Sequence, residues 1–277
     1  MRPLACSGGN FHRKRRLKPL TLKMRTRLVK LLSVFACLTL LAACAGPQQR
    51  LSSDEIIAAS KPANQDTTIA LLGGTGMAGG HILQRSLEQG YQVRLLSRSP
   101  EKLAYLGDRV TVVPGDARDQ AAIDKLLAES DVVISAIGPG SNSKSAIDLT
   151  TTVTRNVLAA MEQNQLDRYI LVSGAGVVMP GDQRSPGGWL MRQLVKLRYN
   201  TLLKDRQAEY ELLSKSEVNW TLVRCPLIES SSFQREPVTS LLSPGSFHLK
   251  AGELSHFVID QIESNKYSRQ GPFLYSR

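Results

Sequence analysis

The sequence is short of the side chains that build metal and redox centres. Its four histidines (His12, His81, His248 and His256) show no ligand spacing, and no C-x-x-C occurs, so a zinc site has nothing to stand on. Cysteine is as scarce. Three of the four, Cys6, Cys37 and Cys44, fall in the first 44 residues. A domain that begins after them keeps only Cys225 and forms no internal disulfide. Cys225 ends an apolar run and reads as a small buried residue rather than a nucleophile. Neither G-x-S-x-G nor a Ser-His-Asp order is present, which removes the serine-hydrolase reading. None of the 24 acidic residues precedes Cys44, whereas ten of the 35 Lys and Arg do. The net charge of +11 therefore belongs to the N-terminal segment, and from Cys44 onward 25 basic residues face 24 acidic ones. A near-neutral domain loses the electrostatic case for nucleic acid as partner. The apolar run Leu31–Ala43 is also too short for a membrane span of about 20 residues.

What that N-terminus does contain is a targeting pattern. Lys23–Lys30 is basic, Leu31–Ala43 is apolar, and Leu41-Ala42-Ala43-Cys44 follows. Basic region, short apolar region and small residues before a cut make a secretory signal. The last four residues resemble a bacterial lipobox, which implies lipid on Cys44 after cleavage. Met24 would open a signal of ordinary length. The expected organisation is residues 1–43 as basic region and signal, 44–66 as a polar tether, and 67–277 as one folded domain. The expected location is the periplasmic side of a bacterial membrane, the outer membrane ahead of the inner because Ala45 rather than aspartate follows Cys44; a misread signal would leave the protein in the cytoplasm. A short helix is expected around Ser53–Ala59.

From Thr68 on, strands and helices alternate. Strands are expected at Thr68–Leu72, Gln92–Ser97, Val110–Pro114, Val132–Ala136, Tyr169–Ser173 and Asn219–Arg224. Helices are expected at Met77–Gln89, Asp119–Glu129, Ser145–Asn164 and Leu202–Lys215. Alternation of this kind predicts an α/β fold, a doubly wound parallel sheet of Rossmann type in a single domain. Continuous apolar runs such as Val132-Val133-Ile134 fit strands covered on both faces. Val178–Leu190, rich in Gly and Pro, is expected to be a loop. It would serve either as a lid or as a connection whose Trp189 packs on the next helix.

The chain is organised around TIALLGGTGMAGGH, Thr68–His81. An apolar strand enters Gly73, Gly74, Thr75, Gly76, Met77, Ala78 and Gly79, and a helical pattern leaves it. That context makes G-x-x-G-x-x-G a dinucleotide-binding signal. Gly73 turns the chain, Gly76 lets backbone approach a pyrophosphate, and Gly79 packs helix on sheet. At the tip of the second strand Arg98 stands where an acid would favour NAD, and an arginine there matches the 2′-phosphate of NADP. NADP is therefore expected ahead of NAD. Asp116, with Ala117 after it, lies where adenine would stack; its carboxylate either accepts from the adenine amine or caps the next helix, as Asp119 also can. Ala136, Ile137 and Gly138 (with Pro139 and Gly140 beyond) are small enough for the nicotinamide half to cross the sheet edge. Ser173 ends the fifth strand beside that point.

The pieces GGTGMAGG, LLSRSPEK, VVPGDARD, VVISAIGPG and YILVSGAGV stand in the order and spacing of the atypical short-chain dehydrogenase/reductases. LLKDRQAEYELLSKSEVNWTLVRCPLI and the C-terminal segment are similar to the end of that superfamily. The nearest branch is the NmrA-like and biliverdin-reductase-B/flavin-reductase-like proteins. The resemblance covers about Thr67 to Arg277 and implies a cofactor-dependent reductase acting on a small molecule. By that match Ser173, Lys204 and Arg206 line the pocket, Ser173 and Lys204 as catalytic groups; Lys204–Arg206 equally fits a solvated helix face. The chain departs from the usual Tyr-x-x-x-Lys: Tyr199 and Lys204, and Tyr210 and Lys215, are each five apart, on different sides of a helix. Residues 226–277 form only a small substrate-side segment. Two other functions use the same scaffold, a non-catalytic cofactor binder or redox sensor, and an assembly protein without ligand. Export would place the domain where NADP(H) is not expected to be abundant, so either the cofactor travels bound or the ligand is another.

Overall fold

In the strand Thr68–Leu72 (β1), Ile69 and Leu71 turn to one face and Ala70 and Leu72 to the other, and all four are buried. Successive strand side chains point to opposite faces, so a strand apolar at every position must be covered on both. The computed structural model describes residues 66–138 and 147–277 and shows that arrangement. The leader, the tether and the Ser53–Ala59 helix lie outside the described residues, as do Ser145 and Ala146; the helix expected from Ser145 begins at Leu149, after Asp148 in a left-handed turn with φ at 52°.

After β1 come α1 (Met77–Glu88), β2 (Gln92–Ser97), a 3₁₀ stretch (Pro100–Arg109), β3 (Val110–Pro114), α2 (Gln120–Leu127) and β4 (Val132–Ser135). The second half adds α3 (Leu149–Asn164), β5 (Arg168–Gly174), α4 (Pro186–Lys215), β6 (Asn219–Cys225), β7 (Leu227–Glu229), β8 (Val238–Ser240), β9 (His248–Lys250), α5 (Ala251–Asp260) and β10 (Phe273–Tyr275). The main sheet runs β3-β2-β1-β4-β5-β6-β10-β8 and is parallel apart from the last pair. β7 and β9 pair separately. On one face Ile82, Leu83 and Leu87 of α1 and Leu254 and Val258 of α5 pack on Ile69, Leu71, Val93 and Leu95. On the other, Ile123 of α2, Val157 and Met161 of α3 and Leu213 of α4 pack on Ala70, Leu72, Val133 and Leu171.

The strand order reverses between β1 and β4. In an open parallel sheet that reversal leaves a crevice at the carboxyl ends of the strands, where ligands bind.

One expectation fails. Pro186 to Leu190 is not loop: α4 begins at Pro186, sixteen residues before the expected Leu202, and bends at Tyr199, whose φ of −128° and ψ of 37° are not helical. Ser185 starts it by accepting the Gly188 N–H at 3.1 Å, and Pro186 occupies the first turn, where its missing N–H costs nothing. Trp189 lies in that first turn, 57% exposed, and so neither belongs to a lid loop nor is packed away on a following helix.

Candidate functional site

Gly73 leaves β1 with φ at +80°, a left-handed conformation natural to glycine. A Cβ there would meet the backbone of Ala136 at 2.8 Å, so the turn lies directly against the end of β4. At Gly79 an added Cβ would overlap the Gly73 carbonyl oxygen and come within 2.9 Å of Gly74 Cα, which is the close helix–turn approach the sequence implies. Gly76 opens α1 with extended backbone, and only the Gly73 oxygen, at 3.3 Å, lies near its would-be Cβ. Thr75 and Gly76 are exposed, with Met77 and Ala78 half-buried behind them. No side chain caps α1 and its first turn holds no acid. The helix therefore presents bare N–H groups and its positive dipole end at the crevice, a fit for a pyrophosphate. Gly74 differs from its neighbours: it is buried and its Cα faces the Leu71 and Leu95 side chains, so it serves packing.

At the β2 tip the Arg98 side chain is 80% exposed, 3.9 Å from Asp116. Asp116 accepts the Arg118 N–H at 2.9 Å in a local turn, and the capping of α2 falls to Asp119, which accepts from Ala121 at 3.1 Å. Ala117 is not open to a ligand; its side chain is buried among the α2 and α3 core residues.

The β4 end is gripped from α4. Arg206 Nη2 donates to the Ile137 carbonyl at 2.7 Å and would stand 3.3 Å from a Cβ on Gly138. Its Nη1 binds both oxygens of Glu209 at 3.0 and 3.3 Å. Glu209 in turn accepts the Ser173 hydroxyl at 3.1 Å and faces Thr154 Oγ1 at 3.4 Å. Ser173, Arg206 and Glu209 are all buried. Burial raises the Glu209 carboxyl above its usual value, against the pull of Arg206 and of the Ser173 hydroxyl. Asp205, on the same turn, accepts the N–H and hydroxyl groups of Thr150 and Thr151 and so caps α3 from outside it.

The structure thus brings Ser173 together with Arg206, through Glu209, and does not bring Lys204 to them. A two-residue step turns a helix by about 200°, so Lys204 faces away from Arg206 and is exposed. The catalytic role expected of Lys204 therefore gains no support from the contacts around Ser173. Glu209 was missed by the sequence reading; the one signal available was its i, i+3 spacing from Arg206. Tyr210 packs edge-on to Trp220, with ring centres 6.2 Å apart, which explains why no Tyr-Lys pair forms with Lys215. Cys225 is buried, and burial pushes its thiol pKa up, as suits an inert core residue. Among the described residues no group of His, Cys, Asp and Glu could hold a metal.

Turn, uncapped helix and switch point define a dinucleotide-binding α/β protein. The chain matches the NAD(P)H-binding family over residues 73–263 and belongs to it. A candidate exported protein of Burkholderia pseudomallei is 26% identical, with a TM-score of 0.60 over 76% of this chain and 99% of that one. A short-chain dehydrogenase/reductase of Veillonella parvula, solved in complex with NADP, is 13% identical with a TM-score of 0.63 over 76% and 94%. An anaerobilin reductase of Escherichia coli O157:H7 is 16% identical with a TM-score of 0.63 over 76% and 97%. The chain spans about a third of the length of the curated relatives it matches, 33% and 37%.

Proposed function

We propose that this protein is an NADP(H)-dependent reductase that passes hydride to a small molecule, held at the periplasmic side of a bacterial membrane, the outer membrane, by lipid on Cys44. The observation that carries the NADP(H) reading is Arg98: exposed at the β2 tip, beside an uncapped glycine-lined helix start, it matches a 2′-phosphate. Gly73, Gly76, Gly79 and the N–H groups of Met77 and Ala78 would hold the pyrophosphate, and Ala136 to Gly138 the nicotinamide side. The bound nicotinamide supplies the hydride. Export draws support from the lipobox and from the 26% identical protein described as exported.

The chain's own part is the proton. When Glu209 carries a proton it donates to Ser173 Oγ, and the Ser173 hydroxyl is then free to donate towards the switch point. One proton passes from carboxyl to hydroxyl and another from hydroxyl to the reduced substrate. Arg206 holds Glu209 in place and positions rather than reacts. Positioned general acids contribute about 10²- to 10⁴-fold. With FMN as acceptor, Ser173→Ala is expected to lower kcat about 100-fold while NADPH affinity stays unchanged. Glu209→Gln is expected to flatten the decline of rate with rising pH, because the glutamine has no proton to lose. Loss of reduced-nicotinamide absorbance at several pH values measures both. A kcat for Ser173→Ala equal to wild type contradicts the proton route.

The second reading, a non-catalytic redox sensor, is favoured by one observation: Ser173 is only 4% exposed. Tight NADPH binding with no turnover of any acceptor would select it.

A further inference from the structure

The first half of α4 leaves an apolar stripe uncovered. Trp189, Leu190, Leu194 and Leu197 are all exposed, Leu197 to 84%. On a helix of 3.6 residues per turn they fall within about 140° of one another. Lys196 and Arg198 flank the stripe on its two edges, and both are exposed. From Gln183 to Lys204 the chain carries five basic residues and no acid. Large single-patch apolar exposure of this kind marks an interaction surface. The backbone bond from the Gln183 N–H to the Leu242 carbonyl, at 2.8 Å, ties the loop bearing exposed Leu241 and Leu242 to the segment just before α4.

We propose that this half-helix is a membrane-contact element, laid flat in the headgroup region of an anionic bilayer, with Trp189, Leu190, Leu194 and Leu197 buried and Lys196 and Arg198 reaching the phosphates. An apolar stripe of Trp and Leu edged by cations is the composition of an interfacial helix. Charge separates this occupant from a second copy of the chain. An isologous contact would set this acid-free basic stretch against itself, whereas an anionic surface neutralises it. Two arginines tie the helix start to the end of β5. Arg192 Nε donates to the Gly176 carbonyl at 3.0 Å, and Arg184 donates to the carbonyls of Ala175 and Val177 at 2.8 Å, just past Ser173. Contact with the bilayer would thus occur at the edge of the proposed reaction site. The element belongs to the folded domain and acts with or without lipid on Cys44.

Gln48–Arg277 is one compact unit that lacks Cys44, so its membrane binding owes nothing to the anchor. It is mixed with vesicles of phosphatidylcholine alone and of phosphatidylcholine with phosphatidylglycerol, then sedimented, with tryptophan emission recorded. The chain has two tryptophans and Trp220 is already buried, so a blue shift on binding reports Trp189. The expected result is binding to the anionic vesicles at least 10-fold tighter than to neutral ones, with a blue shift. Binding should weaken as salt rises from about 0.1 M to about 1 M, where the Debye length shrinks from about 10 to 3 Å. Lys196→Glu with Arg198→Glu should cost on the order of 100-fold or more, and Trp189→Ser with Leu197→Ser should abolish binding. NADPH affinity should be unchanged in both variants, which separates this outcome from failure of the cofactor reading. Equal binding to both vesicle types, or binding that survives both double variants, overturns the proposal. So does a concentration-dependent blue shift without lipid, which would make the face a contact between copies.

Discussion

Asp182→Ala is expected to lower the melting temperature by roughly 10 °C, as read by circular dichroism. Its carboxylate takes Arg224 Nη1 on both oxygens, at 2.7 and 2.9 Å. Arg224 is 1% exposed, lies 3.6 Å over the Phe273 ring, and also donates to the Gly271 and Val177 carbonyls. Burial lowers its pKa, with Asp182 pulling the other way. Removing one partner of a buried pair strands the other charge, at a cost of about 3–5 kcal/mol. In a domain of this size each kcal/mol moves the midpoint by about 2–4 °C. Asp182 also pairs with the Arg184 guanidinium at 3.4 Å, so replacing both Asp182 and Arg224, by Leu and Met, should recover only part of the loss: Arg184 then keeps the Ala175 and Val177 carbonyls but no carboxylate. A shift below about 2 °C for Asp182→Ala would show that the pair contributes little. The same pair ties the segment between β5 and α4 to β6 and β10, so its loss should also loosen the start of α4.

Gly79→Ala is expected to weaken NADPH binding sharply and to cost about 1–3 kcal/mol of stability, the range for overpacking a tight site. The new methyl would overlap the Gly73 carbonyl oxygen, and only backbone atoms are there to yield. Either the turn or the helix start must move, and both form the phosphate cradle. Gly187→Ala, in the first turn of α4, is the matched control: nothing lies within 4 Å of its would-be Cβ, so it should leave NADPH affinity unchanged and raise stability by about 0.4–1 kcal/mol. Calorimetric titration and thermal unfolding of the two variants decide it. NADPH affinity kept in Gly79→Ala would remove the turn from the binding site.

The strands β1, β2 and β3 coincide with the runs read from the sequence: β1 is apolar and buried at four of its five positions, and β2 and β3 are short runs rich in Val and Leu that stand out between turns. The glycine turn was legible for a similar reason: strand, spaced glycines and helix form one local pattern. What could not be read was held by distant contacts. The three-residue strands β7 to β10 are too short to show any period. The start of α4 hid behind Pro and Gly, although Ser185-Pro186 is a sound cap and first turn once the helix is known. Glu209 gave no warning of burial, since its partners Ser173 and Thr154 lie 36 and 55 residues away. Lys204 was drawn in by family resemblance, and helical geometry places it on the exposed side.

In the proposed complex the glycine cradle holds NADP(H) with Arg98 on the 2′-phosphate. Titration of Gln48–Arg277 with NADPH and NADH, in wild type and in Arg98→Ala, tests it most directly. A charged hydrogen bond is worth about 1.5–3 kcal/mol, or roughly 10- to 100-fold in affinity. NADPH should bind more tightly than NADH, and the variant should lose that margin while NADH binding stays as it was. Binding of neither nucleotide, or an equal loss of both in Arg98→Ala, would contradict the account.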